Sequence, residues 1–164
     1  MTAYSERRVL PYTPQQMFDL VAGVEQYPEF LPWCIGARIL RRQDNMLFAD
    51  LIIGWKVLRE KFSSKVVLDE PSAVHFDYMN GPLKYLHGEW RFTPAECGGT
   101  LVEFKVDFEF KSRTLAAIMG GVFSELVHRM VGAFEARARA LYGPGLNTGS
   151  SASAEIAHAM KKKA

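Results

Sequence analysis

Between Val102 and Phe110, large apolar residues alternate strictly with charged ones. Val102, Phe104, Val106, Phe108 and Phe110 share one parity, and Glu103, Lys105, Asp107 and Glu109 share the other. Only an extended strand with one dry face and one wet face satisfies that pattern. The period then changes at once. From Ser112 to about Tyr142, Leu115, Ile118, Met119, Val122, Phe123, Leu126, Met130 and Phe134 recur every three or four residues. That is the spacing of one helix face. About 30 residues at ~1.5 Å each predict a rod of roughly 45 Å. Gly120-Gly121 is the weak point where the rod can bend, and Gly143-Pro144-Gly145 stops it.

Other segments repeat the strand signal. Leu58, Phe62, Val66 and Leu68 oppose Arg59, Lys61 and Lys65; Leu86, Trp90 and Phe92 oppose His87, Glu89 and Arg91. Gly and Pro punctuate the region Ile35 to Phe110 at Gly54, Pro71, Asn80-Gly81-Pro82, Pro94 and Gly98-Gly99, as in an antiparallel meander. Tyr4 to Leu10 reads as a first strand. Thr13-Pro14-Gln15-Gln16 then starts a helix by a capping box, and Gly23 ends it. A second short helical turn covers Val24 to Tyr27. The fold class is therefore α+β: a curved antiparallel sheet of about seven strands around a long C-terminal helix, with two short helices after strand one. The domain spans 1–143, and 144–164 reads as a disordered tail rich in Gly, Ser and Ala.

Composition excludes several classes. Hydrophobic residues make up 48% and charged residues 23%, the balance of a soluble domain. The net charge of +2 gives no nucleic-acid signature, because cations and acids are interleaved. Two cysteines, Cys34 and Cys97, are too few for a zinc site or a disulfide framework and are expected to be reduced. The first eleven residues lack the apolar run of a signal peptide, and no segment is long enough to span a bilayer. The expected location is cytoplasmic, with peripheral contact at the inner face of the membrane as an option. Trp55-Lys56-Val57-Leu58 and Met79 to Tyr85, which includes Leu83, place apolar residues and a lysine beside a turn. Such tips either dip into a membrane surface or close the end of the barrel.

One helix about 10 Å wide cannot fill the concave side of a strongly curved sheet. Bulky side chains or a ligand must do so. The ligand-binding candidates are Phe30, Trp33, Phe62, Tyr78, Leu86, Trp90, Phe104, Phe108, Met119, Phe123, Leu126 and Met130. Each is equally suited to ordinary core.

The segment Tyr27-Pro28-Glu29-Phe30-Leu31-Pro32-Trp33-Cys34 resembles a signature of the coenzyme Q-binding proteins of the START-like superfamily. Gly81-Pro82-Leu83-Lys84-Tyr85-Leu86, the following His87 to Phe92, and Ala133 to Ala138 resemble the same family. The resemblance covers Tyr4 to Gly143. It implies a helix-grip fold and an apolar tunnel for ubiquinone or a related isoprenoid lipid, in a carrier or chaperone that supports respiration. The superfamily also holds polyketide cyclases and a toxin that blocks ribosomal subunit joining.

A quinone head offers two carbonyl acceptors and needs donors, for which Tyr27, Tyr78, Trp33 and Trp90 qualify. Glu60 shares parity with Leu58 and Phe62; a place at the rim or beside a basic partner is expected for it. Catalysis has little support. No cofactor and no metal are implied, since no ligand spacing or phosphate loop is present. His75 and His87 should face outward. Cys34 reads as a structural thiol, with reactivity as the alternative. Two other functions stay open. One is a translation inhibitor on the large ribosomal subunit, docking through Arg7, Arg8, Arg38, Arg41 and Arg42 with the lysine tail. The other is a cyclase-like enzyme using Glu60 or Asp50 in the cavity.

Overall fold

The computed structural model describes residues 2–55, 58–81, 83–96, 98–119 and 122–144. The chain runs β1 (Thr2–Leu10), α1 (Pro14–Ala22), a 3₁₀ helix (Val24–Glu29), β2 (Cys34–Gln43), β3 (Met46–Trp55), β4 (Leu58–Asp69), β5 (Ala73–Asn80), β6 (Leu83–Pro94), β7 (Thr100–Phe110), α2 (Arg113–Met119) and α3 (Phe123–Tyr142). The seven strands form one antiparallel sheet in the order β1-β7-β6-β5-β4-β3-β2. Strands β2 to β7 are a simple meander, and β1 closes against β7 at the far edge.

The sequence signals act where they stand. Thr13 accepts from the Gln16 backbone N–H at 3.1 Å while the Gln16 side chain accepts from the Thr13 N–H at 2.9 Å, completing the capping box. Pro14 occupies the first turn, where its missing N–H costs nothing. At the other end Gly143 adopts φ +79, the left-handed region that glycine enters freely, and stops α3. The single rod expected from Ser112 to Tyr142 is instead two helices, α2 and α3, and Gly120-Gly121 between them lie outside the described residues. The 20 residues of α3 span about 30 Å.

The core lies between the concave face of the sheet and one stripe of α3. Val127, Val131, Phe134 and Ala138 are the buried residues of that helix. Helix α1 supplies Met17, Phe18, Leu20 and Val21 to the same core. The C-terminal end of α3 is tied down: the Tyr12 hydroxyl donates to the Gly143 carbonyl at 2.8 Å and the Tyr142 hydroxyl to that of Gln16 at 3.0 Å. Thr100, fully buried, donates its hydroxyl to the Tyr12 carbonyl at 2.6 Å. Gly88 serves packing as well. A Cβ there would stand 2.1 Å from the Phe76 ring, so its missing side chain is the space that ring occupies. The tail after residue 144 lies outside the described residues.

Candidate functional site

Strand alternation decides what faces inward. In β3 and β4, Ala49, Leu51, Ile53, Phe62, Ser64 and Val66 share the concave face. Their partners across the hollow come from α3: Phe123, Leu126, Val127, Met130 and Phe134. Between them lies a cavity of about 240 Å³. Val21 of α1, Val24 of the 3₁₀ helix and Leu115 of α2 also line it.

Of the candidate ligand-binding residues, Trp33, Phe62, Leu86, Trp90, Phe104, Phe123, Leu126 and Met130 line this cavity. Three stand behind its wall. Phe108 is 1% exposed because Tyr4, Phe110 and Phe123 cover it, the last with ring centroids 4.0 Å apart. Phe30 packs edge-on to Phe134 at 5.0 Å, with the Arg137 guanidinium over its other side. Tyr78 stands behind Phe62 at 5.9 Å, and its hydroxyl accepts from the Leu83 N–H at 2.9 Å. The Met119 side chain lies outside the described residues.

The sequence reading missed Ala49, Leu51 and Ile53. The unbroken run Leu51-Ile52-Ile53 hides the strand parity, and only register against Phe62 and Glu60 reveals it. It also missed Phe76, Phe110 and Phe134 as wall residues. Parity placed Phe110 and helical period placed Phe134 on the correct faces, but neither signal says which inward residue touches open space.

Polar groups are few. The Tyr27 hydroxyl, a candidate donor, is spent on the Val21 carbonyl. Its burial drives the phenol pKa upward, so it stays protonated. Trp33 lines the cavity, and its Nε1 is buried with no hydrogen-bond partner among the described residues. Glu60 is half-buried and lines the cavity, with no ion pair or hydrogen bond among the described residues. No basic partner is found among the described residues, and Lys56 of the β3–β4 turn lies outside them. Asp50 is not in the cavity: it faces the convex side, accepts from the Ser63 hydroxyl at 2.6 Å and pairs with Lys61. Of the two acids considered for a cyclase-like reaction, Glu60 alone lines the cavity. Burial pushes the Cys34 thiol up to about 11, so it is protonated and inert near neutrality.

Leu83, considered for a membrane-dipping tip, is 2% exposed and lines the cavity, closing the barrel end instead. The side chains of Trp55 to Leu58 lie outside the described residues. Among the described residues no helix is long and apolar enough to cross a membrane. His75 and His87 face outward, against Glu89 and Asp77. The five arginines considered for ribosome docking do not form one face. Arg7 and Arg8 lie on β1 and Arg38, Arg41 and Arg42 on β2, at opposite edges of the sheet. Arg8 is held between Glu6 and Glu135 and Arg42 beside Glu25. Arg38 and Arg41 instead share the convex side of β2–β4 with Arg59, Lys61 and Lys65, opposite the cavity-lining parity.

A sheet gripping a helix over an apolar hollow is the architecture of the START-like proteins, and comparison with known sequences places the chain among them. Residues 10–135 match the model of the family described as polyketide cyclase / dehydrase and lipid transport. The chain belongs to that family. It is 34% identical to the ribosome association toxin RatA of Rickettsia prowazekii, over 85% of this chain and 97% of that one. It is also 34% identical to the mitochondrial coenzyme Q-binding protein COQ10 homolog B of Xenopus laevis, over 85% of this chain but 59% of that one. The solution structure of an 18 kDa protein from Caulobacter crescentus superposes with a TM-score of 0.72 at 36% identity, covering 87% of this chain and 99% of that one. Of these relatives, one is named for ribosome association and another for binding coenzyme Q.

Proposed function

We infer that the chain is a non-catalytic binding protein that takes one apolar molecule of the quinone-lipid kind between α3 and β3–β4. The observation that carries this reading is the cavity itself, with its apolar wall and about 240 Å³ of space. A void that size would otherwise be costly, at about 24 cal/mol per Å³ left unfilled. A dry apolar cavity of about 150 Å³ already takes benzene, and drug-sized ligands occupy about 300 Å³ or more. The space therefore suits a substituted ring or a short chain. A complete polyisoprenoid tail would have to run outside it or open it further. Each CH₂ buried there contributes about 0.8 kcal/mol. Trp33, in the cavity wall, holds a buried N–H with no partner among the described residues, a donor that suits a carbonyl on the guest. The resemblance to the coenzyme Q-binding relative supports the quinone class. The test is organic extraction of the purified protein followed by mass spectrometry. A stoichiometric quinone or related isoprenoid is expected; an extract free of lipid, together with no uptake of added quinone, would overturn the reading.

A second reading, association with the ribosome, is supported by the RatA relative, which matches along nearly its whole length. The convex side of β2–β4, where Arg38, Arg41, Arg59, Lys61 and Lys65 outnumber Asp50 and Asp69, is a surface suited to polyphosphate. Co-sedimentation with the large ribosomal subunit that survives moderate salt would favour it. Loss of that co-sedimentation in Arg38→Glu/Lys61→Glu would place the contact on this side.

A further inference from the structure

Glu60 is the one carboxylate in a wall otherwise made of aliphatic, aromatic and hydroxyl side chains. Alternation along β4 sends Arg59 and Lys61 to the opposite face, and the β3 residue across from Glu60 is Ile53. No cation or donor among the described residues answers it. Trp33 stands at the same end of the cavity, since its carbonyl accepts from the N–H of Gly54, the residue after Ile53. The deep end, at Val21, Val24 and Val74, carries no charge. The hollow is therefore amphipathic: one end carries the Glu60 carboxylate, and the fully buried end at Val21, Val24 and Val74 carries none.

We propose that Glu60 sets the ligand class: the cavity takes neutral amphiphiles whose head bears a hydroxyl and excludes those whose head is a carboxylate. This rests on the reading of the cavity as a ligand site. A hydroxyl donates to the carboxylate, and a bond to a charged acceptor in such a setting is worth about tenfold or more in affinity. A carboxylate head in the same place meets a like charge a few ångströms away in a weakly screened site, which costs at least as much. Free fatty acids are thereby rejected although their chains would suit the apolar wall. For a quinone-type guest, the reduced hydroquinone, which carries hydroxyl donors, is favoured over the oxidised form, which carries only acceptors.

Three probes of one shape separate the contributions: 4-butylphenol has a donor, 4-butylanisole has none, and 4-butylbenzoate is an anion. By calorimetric titration at pH 7.5 the protein should bind the phenol about tenfold tighter than the anisole and the benzoate weakest of the three. In Glu60→Gln the gap between phenol and benzoate should shrink at least tenfold. In Glu60→Leu the phenol and anisole should bind alike. Thermal melts of both variants check that they fold. Benzoate binding as tightly as the phenol, or both gaps unchanged in folded variants, would overturn the assignment of Glu60 while leaving the cavity a ligand site. No binding of any probe to any of the three proteins would overturn the cavity reading and this assignment with it.

Discussion

The two halves of the concave face carry the same strand alternation and end differently. On β6–β7 the inward residues are large and meet large partners. Trp90 packs at a tilt against Phe104 at 4.8 Å and edge-on against Phe134 at 4.9 Å, and Phe108 lies against Phe123 at 4.0 Å. On β3–β4 the inward residues Ala49, Leu51, Ile53 and Ser64 beside Phe62 are smaller, and they face α3 across the cavity. One half is plugged by aromatic rings and the other is left open. Hollowness in this fold is thus a matter of side-chain volume on two particular strands, not of sheet curvature alone.

The largest effect should come from unplugging the packed half. Phe134→Ala removes a ring that touches Tyr27, Phe30 and Trp90 and should cost about 3–5 kcal/mol in urea unfolding. Next, the open half can be filled. Ser64→Leu points new carbons into existing space, so stability should change by less than about 1.5 kcal/mol while uptake of an apolar guest falls at least about tenfold. If Ser64→Leu destabilises as strongly as Phe134→Ala, the two halves do not differ as described. Gly88→Ala tests the border between them. Its Cβ would drive Phe76 into the cavity, at a cost of about 1–3 kcal/mol together with weaker guest binding.

Away from the cavity the effects are smaller. Thr13→Ala removes the α1 cap and should cost about 1 kcal/mol with guest affinity unchanged. Last comes alkaline pH. Cys34 and Tyr27 hold their protons more tightly folded than unfolded, since burial raises both pKa values. The folded state therefore binds more protons once the unfolded groups begin to ionise, and stability must fall as pH rises. For Cys34 the window runs from its ordinary 9.0 to about 11. The melting temperature should drop across it, less steeply in Cys34→Ala.

Much of this was legible in the sequence because strand parity and helix period are local. The alternation of Val102 to Phe110 and the capping box at Thr13 fixed faces and ends without tertiary information. The break between α2 and α3 was visible only as two adjacent glycines, a weakness whose outcome depends on what the sheet demands of the helix. The site was partly legible. Parity put Phe62, Trp90, Phe104 and Phe108 on one face, but which of them touches empty space depends on neighbours far along the chain. Phe108 is sealed by Tyr4, 104 positions earlier in sequence, and by Phe123. Glu60 shows the converse. Its parity pointed inward, and the strand register keeps it in the cavity wall, half-buried.

The most direct test is methyl NMR of the protein titrated with a neutral apolar guest such as 4-butylphenol. Saturable shifts at cavity-lining methyl groups, those of Leu51, Ile53, Leu126 and Met130 among them, with Leu10 and Val102 unmoved, are the predicted result. Shifts absent at saturating guest, or spread over the outer surface with the methyl groups of those four residues silent, would contradict the hollow on which the account depends.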